Sequence, residues 1–91
     1  MYINEVQQIV DLMQDRFDSH DFICEYINRF PRSYGKLLVN HNNVNTAHGE
    51  IAMFLRTNSA DLRITKIEDD NYQSYNIFGN LVHCAKWEKI N

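Results

Sequence analysis

The sequence predicts a single α+β domain over residues 1–91, with three to four helices followed by a C-terminal antiparallel β-hairpin. Amphipathic helical patterns fill the first two thirds of the chain. The last third changes to short β-branched and aromatic runs, separated by a break rich in Asn and Asp. The chain has 91 residues, of which 44% are hydrophobic and 23% charged, which suits one globular core. We therefore expect a two-layer unit in which the hairpin packs on the helices.

Apolar residues at helical spacing indicate the first two helices. The first stripe consists of Val6, Ile9, Val10, Met13 and Phe17. The second consists of Phe22, Ile23, Tyr26, Ile27 and Phe30. Asp18 or Ser19 is expected to cap the second helix, because both side chains can accept a hydrogen bond from a first-turn amide. Pro31 is expected to end it, because a proline disfavours helical backbone in the residue before it.

Two further helical segments follow. Tyr34, Leu37 and Leu38 give a short third apolar face, which leaves open whether residues 31–41 form a helix or a turn. The Asn- and His-rich residues 40–45 are expected to form a loop. A fourth helix is then predicted over residues 46–57, with Asn45 or Thr46 as its cap. Its inward-facing residues are expected to be Ala47, Ile51, Phe54 and Leu55.

The C-terminal third predicts the hairpin. Leu62 and Ile64 alternate with polar residues, as in a half-buried strand. Residues 69–71 are expected to turn, Ile77 and Phe78 to tuck into the core, and residues 81–90 to form the last strand. The register of that strand is open, because both of its faces are mixed. A competing arrangement is a plain α+β domain whose hairpin joins the sheet of a partner.

Charge is distributed unevenly along the chain. The net charge is −3, which argues against a general nucleic-acid coat. Residues 1–25 nevertheless contain six acidic residues and one basic residue, whereas residues 29–67 contain six basic and two acidic ones. This asymmetry favours one basic face on an acidic protein. The alternative is an ordinary solvated surface.

Several function classes are disfavoured. The longest apolar run is far short of the roughly 20 residues that span a bilayer, and no signal peptide is evident, so we expect a cytoplasmic protein without a membrane segment. Cys24 and Cys84 are expected to be buried free thiols. The histidines and cysteines lack zinc-site spacing, and no nucleophile or phosphate-loop motif is present. We therefore expect no metal, no cofactor and no enzymatic activity.

Two segments have the composition of a DNA-contacting surface. The predicted helix over residues 46–57 projects polar side chains outward, and its start is a candidate phosphate contact. The basic segment 29–36 places cations beside a helix start, as is typical of contacts to a DNA backbone. The base of the hairpin adds further cations, among them Lys86. The candidate DNA-binding residues are Arg29, Arg32, Lys36, Asn45, Thr46, His48, Arg56, Arg63 and Lys66.

The element order, the helix Thr46–Leu55 and the hairpin from Leu62 to Trp87 resemble a winged-helix domain of the small phage or mobile-element kind. The resemblance is architectural and covers most of the chain. It implies duplex-DNA binding, often by a dimer, with the helix over residues 46–57 in the recognition position.

Two other functions remain open. The first is a protein-interaction module that binds or inhibits a host or phage protein, which the acidic first helix, the acidic turn at residues 68–70 and an exposed Phe78 would favour. The second is a structural homodimer, in which hairpins pair across a two-fold axis.

Overall fold

The computed structural model describes residues 1–69 and 71–90, so Asp70 of the predicted acidic turn lies outside the described residues. The described part contains five helices, with antiparallel strands at its C-terminal end, which confirms the α+β class. The helices are α1 (Ile3–Leu12), α2 (Ser19–Arg29), α3 (Pro31–His41), α4 (Val44–Thr57) and the short α5 (Ser59–Leu62). The strands are β1 (Arg16–Asp18), β2 (Ile64–Ile67), β3 (Gln73–Tyr75), β4 (Leu81–His83) and β5 (Lys86–Lys89).

Local hydrogen bonds set the start of α2 and α3. The Asp18 carboxylate accepts a hydrogen bond from the backbone N–H of Asp21 at 2.7 Å, and the Asp21 carboxylate accepts one from the N–H of Asp18 at 3.1 Å. This reciprocal capping box fixes the start of α2 at Ser19. Pro31 occupies the first turn of α3, where its missing N–H costs no hydrogen bond. Residues 31–41 are therefore a helix and not a turn.

The start of α4 lies earlier than its sequence predicts. Asn43 is the cap, and its side-chain oxygen accepts a hydrogen bond from the N–H of Thr46 at 3.1 Å. Asn45 and Thr46 consequently lie within the first turn of α4, which corrects their prediction as caps. Asn42 ends α3 in the left-handed conformation with φ 52°, so only Asn42 and Asn43 separate the two helices.

A three-stranded antiparallel sheet of order β1-β5-β2 packs against the helices. In its centre Phe17 of β1 lies opposite Trp87 of β5, and both side chains are buried. The prediction that Phe17 continues the stripe of the first helix was therefore wrong, because α1 ends at Leu12. A three-residue strand has too little alternation to be recognised alone, and it forms here by pairing with a strand from the other end of the chain.

The predicted final strand is divided into β4 and β5 by Cys84 and Ala85. The carbonyl of Ala85 accepts a hydrogen bond from the backbone N–H of Ser19 at 3.0 Å, which draws this connection to the start of α2. Leu62, predicted to begin a strand, is buried at the end of α5 instead. Arg63 links α5 to β2 in the left-handed conformation with φ 59°.

The core lies between the helices and the three-stranded sheet. Its fully buried large side chains come from four helices and two strands, and they include Val6, Ile9, Phe22, Tyr26, Ile51, Leu55, Leu62, Ile64 and Trp87. Of the predicted inward residues of α4, Phe54 is only partly buried. Among the described residues, every helix is too short or too polar to cross a membrane.

The β3–β4 hairpin ends in a tight turn over residues 76–80. The side-chain oxygen of Asn76 accepts hydrogen bonds from the N–H groups of Phe78 and Asn80, both at 3.0 Å. Gly79 has φ +78°, a conformation that a residue with a Cβ rarely adopts. Ile77 and Phe78 remain 39% and 57% exposed, so the prediction that they tuck into the core was wrong.

Candidate functional site

Two of the predicted DNA-contacting residues, Arg56 and Lys66, line one crevice between the end of α4 and the base of the hairpin. The crevice has a volume of about 390 Å³ and is also lined by Lys86 of β5. The Lys86 ammonium lies 4.9 Å from the centre of the Tyr72 ring, a cation–π contact that holds it in place. Asp69 contributes one carboxylate to the lining. Among the described residues that line it, three cations lie with one acid, so this basic crevice is a candidate phosphate contact.

The exposed face of α4 adjoins the basic crevice through Arg56. Thr46, Glu50 and Met53 are exposed on this helix, as is Asn45 in its first turn. The amide of Thr46 already donates to Asn43, so it is not free for the predicted phosphate contact at the helix start. What α4 presents is therefore a mixed polar face with its one cation at the C-terminal end.

His48 does not face outward as predicted. Its side chain is half-buried, and its Nε2 lies 2.7 Å from the hydroxyl oxygen of Tyr34 on α3. Its ring also stacks on Phe78, with 6.4 Å between ring centres, so that the hairpin tip leans over α4. Burial lowers the pKa of His48. His48 thus joins α3, α4 and the hairpin instead of projecting toward a groove.

The remaining predicted cations lie away from the basic crevice. Arg29 donates through Nε to the Glu25 carboxylate at 3.1 Å, within its own helix. Arg32 and Lys36 are exposed one turn apart on α3, where residues at this spacing share a face. Lys36 borders a cavity beside Met1 and Tyr2. Arg63 borders a different cavity, beside Asp11 and Lys89. Neither of these cavities shares a lining residue with the basic crevice. The structure therefore does not bring the nine predicted residues into one patch.

A polar cluster lies at the junction of β1, α2 and the hairpin. It contains Asp18, His20, Tyr72, Ser74 and Cys84. The Tyr72 hydroxyl donates to Asp18 Oδ2 at 2.8 Å, and Ser74 Oγ lies 2.6 Å from His20 Nδ1 and 3.3 Å from Cys84 Sγ. A carboxylate oxygen of Asp18, a ring nitrogen of His20 and Cys84 Sγ all lie within 4.8 Å of one another.

The protonation of this cluster follows from its surroundings. Burial opposes ionisation of Asp18, but hydrogen bonds from the Asp21 amide and the Tyr72 hydroxyl outweigh it and hold the pKa of Asp18 below its usual value. The hydrogen bond to the Asp18 carboxylate, with burial, raises the pKa of Tyr72 to about 12. Burial also raises the pKa of the Cys84 thiol. The cluster therefore contains one ionised carboxylate beside a neutral thiol and a neutral phenol at neutral pH.

Sequence reasoning missed this cluster because its members come from three separate parts of the chain. Asp18 lies two residues from His20, and Tyr72 two residues from Ser74, but neither spacing is diagnostic of a site. Cys84 was predicted to be buried; it is half-buried in the cluster, and Cys24, also predicted to be buried, is exposed. Searches against protein-family models, curated proteins and solved structures find no match to this chain.

Proposed function

We propose that this protein is a non-enzymatic, duplex-DNA-binding domain of the winged-helix kind, acting in the cytoplasm. In this proposal α4 lies against a groove, and the basic crevice grips the adjacent phosphates. The observation that carries it is the convergence of Arg56, Lys66 and Lys86 between the end of α4 and the hairpin. The order of helices followed by a hairpin supports the same assignment, and the free thiols of Cys24 and Cys84 suit a reducing compartment.

The distribution of charge supports a local basic face on this acidic protein. The cations of the basic crevice lie on α4, β2 and β5, whereas four of the twelve acidic residues lie on α1 and α2. Within those two helices Glu25 is engaged by Arg29, and Glu5 accepts hydrogen bonds from the Ser33 hydroxyl at 2.8 and 3.0 Å. A duplex bound at the crevice would contact three cations, although the net charge of the chain is −3.

In this proposal the exposed face of α4 adds little to the binding affinity, but it gives some preference for particular bases. Asn45 and Thr46 carry groups that can hydrogen-bond to base edges, and Glu50 can accept from a cytosine amine. Because α4 presents only one cation, most of the binding free energy would come from phosphate contacts in the basic crevice. We therefore expect little preference for particular DNA sequences and an affinity that falls steeply as the salt concentration rises.

The test is fluorescence anisotropy of a labelled generic duplex, titrated with the protein over a range of salt concentrations. Replacing Lys66 or Lys86 by Gln should weaken binding to all sequences alike and reduce the logarithmic salt slope by about 1 for each phosphate that the variant no longer neutralises. Arg29→Gln is the matched control, because Glu25 already engages that side chain. Absence of binding at low salt, or equal slopes for crevice and control variants, would contradict the proposal.

The second candidate is a protein-interaction module, which the exposed apolar side chains of the β3–β4 hairpin favour. Five of them are at least 38% exposed, namely Tyr75, Ile77, Phe78, Leu81 and Val82. Exposed apolar side chains in such numbers are typical of protein interfaces. The discriminating variant is Leu81→Ser, since Leu81 is exposed opposite Tyr75 on the hairpin. A protein interface predicts that Leu81→Ser abolishes nuclease-resistant partner capture while Lys66→Gln does not.

A further inference from the structure

We propose that Asp18, His20 and Cys84 bind a single zinc ion, which joins the hairpin to the start of α2. The three residues offer a carboxylate oxygen, an imidazole nitrogen and the sulfur of a thiol, which would release its proton to solvent as the ion binds; these are the three ligand types that zinc takes in proteins. The inference does not depend on DNA binding, because it rests on the polar cluster alone.

The distances fit a site that closes by small side-chain rotations. The three ligand atoms lie within 4.8 Å of one another. Zinc bonds of about 2.0–2.3 Å in tetrahedral geometry place neighbouring ligand atoms about 3.5 Å apart. To coordinate one ion, the three atoms would have to approach one another by roughly 1 Å, a change of the size that side-chain torsions produce.

The backbone around the cluster is held by buried contacts. The N–H of Ser19, between Asp18 and His20, donates to the carbonyl of Ala85 at 3.0 Å. The Ser19 hydroxyl oxygen accepts a hydrogen bond from Trp87 Nε1 at 3.1 Å, and both residues are buried. The two segments that carry the ligands are thus fixed against each other before any ion binds, which lowers the cost of ordering the site.

Neighbouring groups orient the ligands as outer-shell partners do in metal sites. Asp18 receives one hydrogen bond on each carboxylate oxygen, from the Asp21 amide and from the Tyr72 hydroxyl. Ser74 Oγ lies between His20 Nδ1 and Cys84 Sγ, at 2.6 and 3.3 Å. Ser74 therefore contacts two of the three ligands, and movement of its hydroxyl oxygen away from them would free both for an ion.

The types of ligand atom in the cluster indicate which metal ion it would bind. A thiolate and an imidazole favour zinc over magnesium or calcium, which take oxygen ligands. The cluster borders a cavity beneath the hairpin that His20 and Cys84 both line, from which water would supply a fourth ligand. The ion would link Cys84 of the hairpin to two residues at the start of α2.

The experiment uses Co²⁺ as a spectroscopic probe on chelator-stripped protein, followed by displacement with Zn²⁺. We expect one equivalent of Co²⁺ to produce visible bands and a thiolate-to-cobalt charge-transfer band, and Zn²⁺ to remove both. Cys84→Ser should abolish the charge-transfer band, and His20→Asn should weaken Co²⁺ binding by more than about 100-fold, beyond the loss typical of outer-shell changes. Cys24→Ser is the matched control and should bind as the unaltered protein does, because Cys24 is an exposed thiol outside the cluster.

Tyr72→Phe tests the orienting contact and keeps the test valid if a ligand variant fails to fold. It retains all three ligands, so it should keep the charge-transfer band while binding Co²⁺ about 10–100-fold more weakly. Two results would overturn the proposal. One is that the unaltered protein shows no thiolate-to-cobalt band at saturating Co²⁺. The other is that the band is lost in Cys24→Ser and kept in Cys84→Ser.

Discussion

The carboxylate of Asp18 connects three parts of the chain at the scale of single residues. It caps α2, accepts a hydrogen bond from Tyr72 in the segment before β3, and lies beside His20 and Cys84. Only 4% of Asp18 is exposed, so each hydrogen bond offsets part of the cost of keeping a charge away from water. The start of α2 and the position of the hairpin therefore depend on the same side chain.

Tyr72→Phe removes the hydroxyl that donates to Asp18 and should lower the free energy of unfolding by about 1–2 kcal/mol. The reason is that a buried carboxylate loses one of its two donors. Urea denaturation in the presence of a chelator measures this loss without a contribution from bound metal. Tyr75→Phe is the control, since Tyr75 is 68% exposed and makes none of the side-chain hydrogen bonds found among the described residues. Equal stability of the two variants would show that the Asp18–Tyr72 hydrogen bond contributes nothing.

His48 makes stability depend on pH. Its pKa is lowered in the folded state, chiefly by burial, so the unfolded chain binds the proton more readily. The contribution of neutral His48 is therefore complete above the unfolded pKa of about 6.5 and is lost as the pH falls through the lower folded value. We expect the stability advantage of the unaltered protein over His48→Gln to shrink between pH 7 and pH 5, as measured by urea denaturation. An advantage that stays constant over this range would contradict the assignment, and His83→Gln controls for a general effect of removing a histidine.

At the scale of elements, the junction between α3 and α4 determines how α4 is presented. Asn42 is the C-cap of α3 and Asn43 is the N-cap of α4, so the connection between the two helices is as short as two residues. Tyr34 of α3 then contacts His48 of α4, and together with the buried Ala47, Ile51 and Leu55 this orients α4 about its axis. The direction of its exposed face follows from these contacts.

Asn43→Ala removes the cap of α4 and should lower the free energy of unfolding by about 1 kcal/mol. The N–H of Thr46 loses its partner, and the first turn of α4 should fray. Asn42→Gly is the matched change at the neighbouring position; since Asn42 has φ 52°, a glycine there should leave stability unchanged or raise it. Thermal denaturation followed by circular dichroism compares the two. A loss on Asn42→Gly larger than that on Asn43→Ala would refute this account of the junction.

At the scale of the whole molecule, local patterns predict the helices well and the sheet poorly. The stripes around Val6, Phe22 and Ile51 predict α1, α2 and α4, because a helix is stabilised by residues three and four apart. The strand β1 and the break at Cys84–Ala85 depend on pairing with β5 and on the bond between Ser19 and Ala85. Contacts between distant parts of the chain leave no periodic signal in either segment.

The same distinction applies to the candidate sites. The sequence indicates the cations Arg56 and Lys66, but only the fold shows that they share a crevice with Lys86. His48 is polar at an apparently outward helical position, yet Phe78 covers its ring because the hairpin tip leans over α4. The polar cluster is formed by three segments that the sequence gives no reason to bring together.

We propose that α4 and the basic crevice face a DNA duplex. This is tested by titrating ¹⁵N-labelled protein with a short generic duplex at low salt and following the chemical shifts of the backbone amides. We predict shifts on the exposed positions of α4 and on the residues of β2 and β5 that line the crevice, reversed by added salt. Unchanged amide chemical shifts throughout the protein, or changes confined to the tip of the β3–β4 hairpin, would contradict the proposal.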